Sequence, residues 1–278
     1  MNKLIQKLYY KSCQEELMVL KPGNHSIHSG IIGMNNKRFE FAAKVSGEIF
    51  INKKLDLGEK IYQSASKCFN QLGENYNLGI ILLCAPIFEI LPDRLSNFKA
   101  ELNFVLRNID EFQGDLILRA IKESKPAGLL GYEGPGDVRK KKKLMFKKIM
   151  EIGSQRDRIS KCYVNNYSEI FNGGLPFFEF LKKKTTSNNA IILLYLFYLS
   201  SSNDSHILRK YGHAKACMIT KKAKNILKKI IFKKKINTQL LYFDKYLKSF
   251  HYNPGTCADL TVTTLLISKI RDIFKFQI

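Results

Sequence analysis

Four short segments combine residue types that could handle a phosphorylated ligand. In Lys21-Pro22-Gly23-Asn24-His25, Pro22 stops a helix expected to end near Leu20, and Gly23 permits a tight turn. Such a turn presents backbone N–H groups and the Lys21 ammonium to a phosphate, or it simply ends a helix. A second, glycine-rich run opens with Pro126-Ala127-Gly128-Leu129-Leu130-Gly131 and continues through Gly134-Pro135-Gly136-Asp137-Val138-Arg139. Backbone amides around Gly128 can wrap a polyphosphate there with Arg139 at its charge, although the run also reads as a surface connection. The third segment, Asn203-Asp204-Ser205-His206-Ile207-Leu208-Arg209-Lys210, sets a capping Asp or Ser before a helix. Its cations Arg209 and Lys210 oppose the helix dipole, a misplacement that a bound anion would rationalise. In the fourth, Asn253-Pro254-Gly255-Thr256-Cys257-Ala258-Asp259-Leu260, turn and cap chemistry accounts for all but Asp259. A carboxylate beside basic loops is what Mg²⁺ on phosphate oxygens requires.

Other constellations are missing. There is no Gly-Lys-Ser/Thr ending to the glycine-rich run, no Gly-x-Ser-x-Gly elbow, no His-Glu-x-x-His and no dinucleotide fingerprint after a strand. His25 and His28 are three apart, but a loop pair without a third ligand is a weak metal signal.

Helices must position these segments. Leu95, Phe98, Leu102, Val105, Leu106 and Ile109 follow the spacing of an amphipathic helix, as do Ile61, Ala65, Phe69 and Leu72. Ile207, Tyr211, Ala214 and Met218 form another stripe, and Val262, Leu265, Leu266 and Ile270 a further one. Strand alternation is nearly absent, so the chain reads as all-α: a single large helical-bundle domain over residues 1–278, with functional loops converging on one cleft. The loops are expected at Lys21 to Met34, Gly73 to Gly79, Lys125 to Arg139, Asn203 to Ser205 and Tyr252 to Cys257.

At 278 residues and 45% hydrophobic content, the chain can bury a large core. Its longest apolar runs, Leu78 to Pro86 and Ala190 to Leu199, fall well short of the ~20 residues that cross a bilayer, so no membrane partner is expected. The first residues lack the apolar core of a secretion signal, and a cytoplasmic location is the expectation. Six scattered cysteines without metal-type spacing fit reduced thiols. The net charge of +22 attracts polyanions, yet lysine runs such as Lys140 to Lys143, Lys182 to Lys184 and Lys233 to Lys235 also read as solvated helix faces. A non-catalytic, nucleic-acid-binding helical protein is the alternative of another class; it requires cations and aromatics on one continuous face.

Taken in order, the loops resemble the triphosphoribosyl-dephospho-CoA synthase family. The resemblance rests on Lys21-Pro22-Gly23-Asn24, Asn75-Tyr76-Asn77-Leu78-Gly79 before an apolar helix, the run from Pro126 to Arg139, and Asn253 to Leu260. Gly33-Met34, Asp157-Arg158-Ile159 and Asp204 to Lys210 look most like the branch found in methylotrophs. The chain departs from the family's pattern at Ala127 and Leu130, where glycines are usual, and at Asn77, where citrate-lyase-type members carry histidine. Gly30 and Gly33 replace acidic residues of those members.

The resemblance implies a helical transferase moving the triphosphoribosyl group of ATP to 3′-dephospho-CoA, or a related acceptor, with release of adenine. It implies Mg²⁺ with ATP as substrate. By the same token Lys21, Arg139, Arg209 and Lys210 would grip phosphates alongside Gly128, and Asp259 with Asp137 or Asp204 would hold Mg²⁺. Asn24 and Asn77 would orient sugar or base, and Glu16 or His206 would be the general base. A related nucleotide-dependent transferase of one-carbon cofactor synthesis is the nearest alternative, and a homodimer is compatible with so many helical stripes.

Overall fold

The computed structural model describes residues 2–90, 92–128, 134–139, 144–233 and 237–276. Thirteen α-helices and no strand occur among them: α1 (Asn2–Leu17), α2 (Asn36–Phe50), α3 (Leu57–Leu72), α4 (Leu78–Cys84), α5 (Phe98–Arg107), α6 (Glu111–Glu123), α7 (Phe146–Gly153), α8 (Arg158–Asn165), α9 (Leu175–Lys182), α10 (Ser187–Ser201), α11 (Ser205–Lys233), α12 (Asn237–Ser249) and α13 (Gly255–Phe274). The all-α expectation holds. Leu129 to Gly131 of the glycine-rich run, and Lys140 to Lys143, lie outside the described residues.

Local sequence explains the ends of these helices. Asp56 caps α3 in a reciprocal capping box with Glu59, and Gly73 closes that helix in the left-handed region at φ 74°. Asp110, Asp157 and Thr186 cap α6, α8 and α10 with side-chain oxygens.

The centre of the molecule is α13. Its Val262, Leu265, Leu266 and Ile270 are fully buried as the stripe predicts, but so are Thr261, Thr263 and Thr264 on other faces. These threonines satisfy their hydroxyls on the helix itself, each donating at 2.8 Å to the carbonyl four residues back. A helix so satisfied can be covered all round, and α1, α4 and α10 pack against it. The second apolar run forms most of α10, another helix buried on every side. No described helix is long and apolar enough to cross a membrane.

Two expected stripes come out differently. Leu95 sits in a 3₁₀ turn (Pro92–Asn97) ahead of α5, so Leu95, Phe98, Leu102, Leu106 and Ile109 share the core without sharing one helix. In α11 the backbone breaks at Gly212 (φ 81°, ψ 172°). The break resets the helical phase, so Ala214 is exposed and the buried positions beyond it are Ala216, Ile219, Ala223, Leu227 and Ile230.

The positive charge is uneven. Between residues 205 and 249 the chain holds thirteen of its 46 Lys and Arg residues and one of its 24 Asp and Glu residues, Asp244. Asp244 is buried, whereas Lys221, Lys222, Lys224, Lys228 and Lys229 are exposed on α11. Tyr246 of α12 touches α11, its ring centroid 3.6 Å from the Lys222 ammonium.

Candidate functional site

The Lys-Pro-Gly turn is held from three sides. Tyr195 donates to the Pro22 carbonyl at 2.8 Å, and Gly23 N–H donates to Asp244 Oδ1 at 2.8 Å. Gly23 lies at φ 80° with the Tyr252 carbonyl only 2.6 Å from where a Cβ would be, so both backbone and space demand glycine. The turn sends the Lys21 ammonium inward, 1% exposed, to hydrogen-bond Glu16 at the end of α1. Burial pushes the Glu16 carboxyl up and the Lys21 ammonium down, each opposed by the other's charge. Asn24 Nδ2 donates to Asn253 Oδ1 at 2.7 Å, joining this turn to the loop before α13.

The start of α11 is tied to the start of α13 by Asp204. Oδ1 accepts from the N–H groups of His206 (2.9 Å) and Ile207 (3.1 Å), and Oδ2 accepts from Cys257 N–H (2.9 Å). This double cap brings His206 beside Gly255, where a Cβ would stand 3.0 Å from Nδ1. Burial lowers the His206 pKa, outweighing the upward pull of Asp204, and Arg209 and Lys210 lower it further. The net direction favours the neutral imidazole, the form able to accept a proton.

Arg209 reaches the glycine-rich run. Its guanidinium donates to the Ala127 carbonyl at 3.3 Å and pairs with Asp157, the cap of α8. Gly128 sits at φ 81° against Arg209, with Cβ–Cβ room of only 2.7 Å. Arg139 folds back on Asp137, donating from its backbone N–H and Nε to Oδ1 (both 3.0 Å) and from Nη2 to Oδ2 (2.8 Å).

Asp259 lies one turn into α13 against the first turn of α4, where a side chain at Gly79 would overlap its carboxylate. No hydrogen bond to its carboxylate comes from the described residues. Burial, then the charges of Asp204 and Glu16, hold its pKa well above the usual carboxylate range, against the pull of Arg209.

These elements enclose a cleft of 670 Å³. Among the residues singled out by sequence, it is lined by Glu16, Lys21, Asn24, Asn77, Gly128, Asp137, His206, Arg209 and Asp259. Asn77 turns the chain into α4 from the left-handed region (φ 61°) and donates to the Phe39 carbonyl at 3.3 Å. Lys210 is exposed beside Tyr211 and does not line the cleft; nor do Arg139 and Asp204. Asp157 and Asn253, quoted above only within motifs and given no role, also line it, as does His213, which the sequence did not point to. Asp157 caps α8, and its pairing with Arg209 links positions 52 apart and leaves no local signal.

The histidine pair separates. His25 is stacked on Phe39, accepts from Ile31 N–H at Nδ1 (3.1 Å) and therefore carries its proton at Nε2, facing Asn36 Oδ1 at 2.7 Å. His28 is exposed. Among the described residues no three His, Cys, Asp or Glu side chains form a metal-sized cluster, so Asp137, Asp204 and Asp259 do not assemble into one. Mg²⁺ carried on a triphosphate needs only one or two carboxylates, and Asp259, half-buried at the cleft with no hydrogen-bond donor among the described residues, has room to supply one.

An all-helical scaffold brings Lys21, Arg209, His206 and the half-buried Asp259 to one cleft, a set of side chains suited to a phosphorylated substrate. The family model for CitG, ATP:dephospho-CoA triphosphoribosyl transferase, matches residues 2–277, and the chain belongs to that family. Its reaction is the transfer of the triphosphoribosyl group of ATP to dephospho-CoA. No curated protein matches the chain significantly. The crystal structure of a candidate triphosphoribosyl-dephospho-CoA synthase from Archaeoglobus fulgidus has the same fold, with a TM-score of 0.64 at 21% identity. That match covers 84% of this chain and 97% of the other.

Proposed function

We propose that Lys21 and Arg209 bind the triphosphate of ATP, that Asp259 is the carboxylate ligand of its Mg²⁺, and that His206 is the general base. The observation carrying this reading is the convergence of all four on one cleft. The acceptor hydroxyl attacks the anomeric carbon of ATP's ribose, the carbon–nitrogen bond to adenine breaks, and adenine leaves with the bonding electron pair, receiving through His206 the proton that the acceptor gives up. Neutral His206 takes the acceptor's proton as the new bond forms. Bound Mg²⁺ would neutralise phosphate charge.

Glu16 serves this arrangement by holding Lys21, since its carboxylate is already engaged. Asn24 and Asn77 line the same space and orient sugar or base. Arg139, paired with Asp137 at the cleft's edge, turns to the phosphates when substrate enters. Gly33-Met34, Asp157-Arg158-Ile159 and Asp204 to Lys210 support placement in the methylotroph branch. The test is adenine release from ATP with Mg²⁺, with and without 3′-dephospho-CoA, followed by the acceptor's mass. Acceptor-dependent release with a triphosphoribosyl mass gain is expected; release that ignores the acceptor overturns the reading.

A further inference from the structure

The cleft has two unlike walls. The polar one comes from α1, the turn after it, and the first turns of α11 and α13, joined through Asn24–Asn253 and Asp204–Cys257. The other is built from α6, α7 and α8, neighbours in the packing, and is largely aliphatic, with Gln155, Arg156, Asp157 and Ser160 as a polar margin where α7 passes to α8. Leu118 and Ile121 project from α6, Ile149 and Met150 from α7, and Ile159 from α8, with Val138 from the preceding loop. Gly114 of α6 lets the Phe146 side chain approach within 2.5 Å of where its own Cβ would be, which closes α6 onto α7. Tyr163 also lines the cleft, but its hydroxyl is spent on the Leu82 carbonyl at 2.7 Å, so it offers mainly its ring.

We infer that this aliphatic shelf is the acceptor-specificity site, and that it binds the pantetheine arm of dephospho-CoA. The inference rests on the proposed reading of the cleft. Triphosphate, ribose and departing adenine all need charge or hydrogen bonds, and these are supplied by the polar wall. Of the two substrates' parts, only the arm carries a branched dimethyl group and methylene chains. Branched aliphatic side chains pack such groups well, whereas a purine would call for stacked rings or edge-directed donors and acceptors. The arm's contribution to binding would separate dephospho-CoA from the many nucleotides that offer the same ribose hydroxyl.

The test compares dephospho-CoA with adenosine 5′-diphosphate, which keeps the adenine, ribose and diphosphate and lacks the arm. Calorimetric binding and turnover are both read, for the wild type and for Ile121→Thr, Ile159→Thr and their combination. These positions are only partly buried, so folding should survive, and an unchanged KM for ATP confirms it. The wild type should favour dephospho-CoA on the order of 100-fold in affinity, and each substitution should weaken dephospho-CoA about tenfold while leaving the armless acceptor unchanged. Equal affinity for the two acceptors, or equal weakening of both by the substitutions, would overturn the shelf assignment. A wild type that shows the binding preference yet releases no adenine would overturn the transfer reaction instead.

Discussion

Asp204 and Cys257 are 53 residues apart, yet the carboxylate of the first accepts the backbone N–H of the second at 2.9 Å while its other oxygen caps its own helix. One side chain thus fixes the two helix starts that bring His206 and Asp259 to the cleft. Asp204→Ala should cost about 2–3 kcal/mol in urea unfolding, since three buried or half-buried N–H groups lose their side-chain acceptor. Asp204→Asn should cost about half as much, because an amide offers one acceptor to two helices. Loss of Mg²⁺ affinity without loss of stability would instead make Asp204 a ligand.

The raised pKa of Asp259 makes stability depend on pH in a defined direction. Its folded-state value lies above the unfolded one, so the folded protein binds the extra proton. The stability due to that proton is complete below the unfolded pKa of about 3.9 and is lost as pH rises through the folded value. Asp259→Asn removes the titration. It should unfold at higher urea than the wild type at pH 8, match it near pH 4, and show no turnover. A variant less stable than the wild type at pH 8 would show that the ionised carboxylate stabilises the fold.

Gly79 stands in the first turn of α4, where alanine is normally the better helix former by about 0.5–1 kcal/mol. Here the added methyl would fall on the Asp259 carboxylate. Gly79→Ala should reduce kcat on the order of 100-fold through displacement of that side chain, with a smaller change in the KM for dephospho-CoA. Unaltered turnover would mean that Asp259 need not occupy its observed place.

Much of this was legible in local sequence. Periodicity located most helices, and Asp56, Asp110 and Thr186 act as the caps their types suggest. Gly23 and Gly128 are glycines because close backbone approach and left-handed φ coincide there. What escaped was pairing: Asp157 with Arg209 and Asp204 with Cys257 across the chain, and, locally, Arg139 folding back on Asp137 rather than lining the cleft. The break at Gly212 also escaped, because hydrophobic spacing runs past a glycine whether or not the helix does. Such features depend on which elements become neighbours, and single-sequence spacing does not encode that.

The exposed lysines of α11 begin where the helix leaves the cleft at Arg209 and His213. Clustered like this they should draw polyanionic substrates toward the cleft, an effect that ionic strength screens. The kcat/KM for ATP should fall about tenfold between low salt and a few tenths molar, with kcat nearly constant. Glutamate at both Lys221 and Lys222 should flatten that dependence; a slope unchanged by the reversal would place the steering charge elsewhere.

Buried pairs respond asymmetrically to truncation, and Glu16 with Lys21 is such a pair. Lys21→Met leaves a carboxyl in a site already pushed toward its neutral form and should cost about 3–5 kcal/mol at pH 8. Protonation of the orphaned Glu16 relieves that cost as pH falls, so the loss should shrink toward pH 5. Adding Glu16→Gln replaces the charge with a neutral amide and should restore most of the stability. Because Lys21 is assigned to the triphosphate, the double variant should regain its fold without regaining affinity for ATP. Recovery of both together would reduce Lys21 to a structural counterion and leave Arg209 as the phosphate contact.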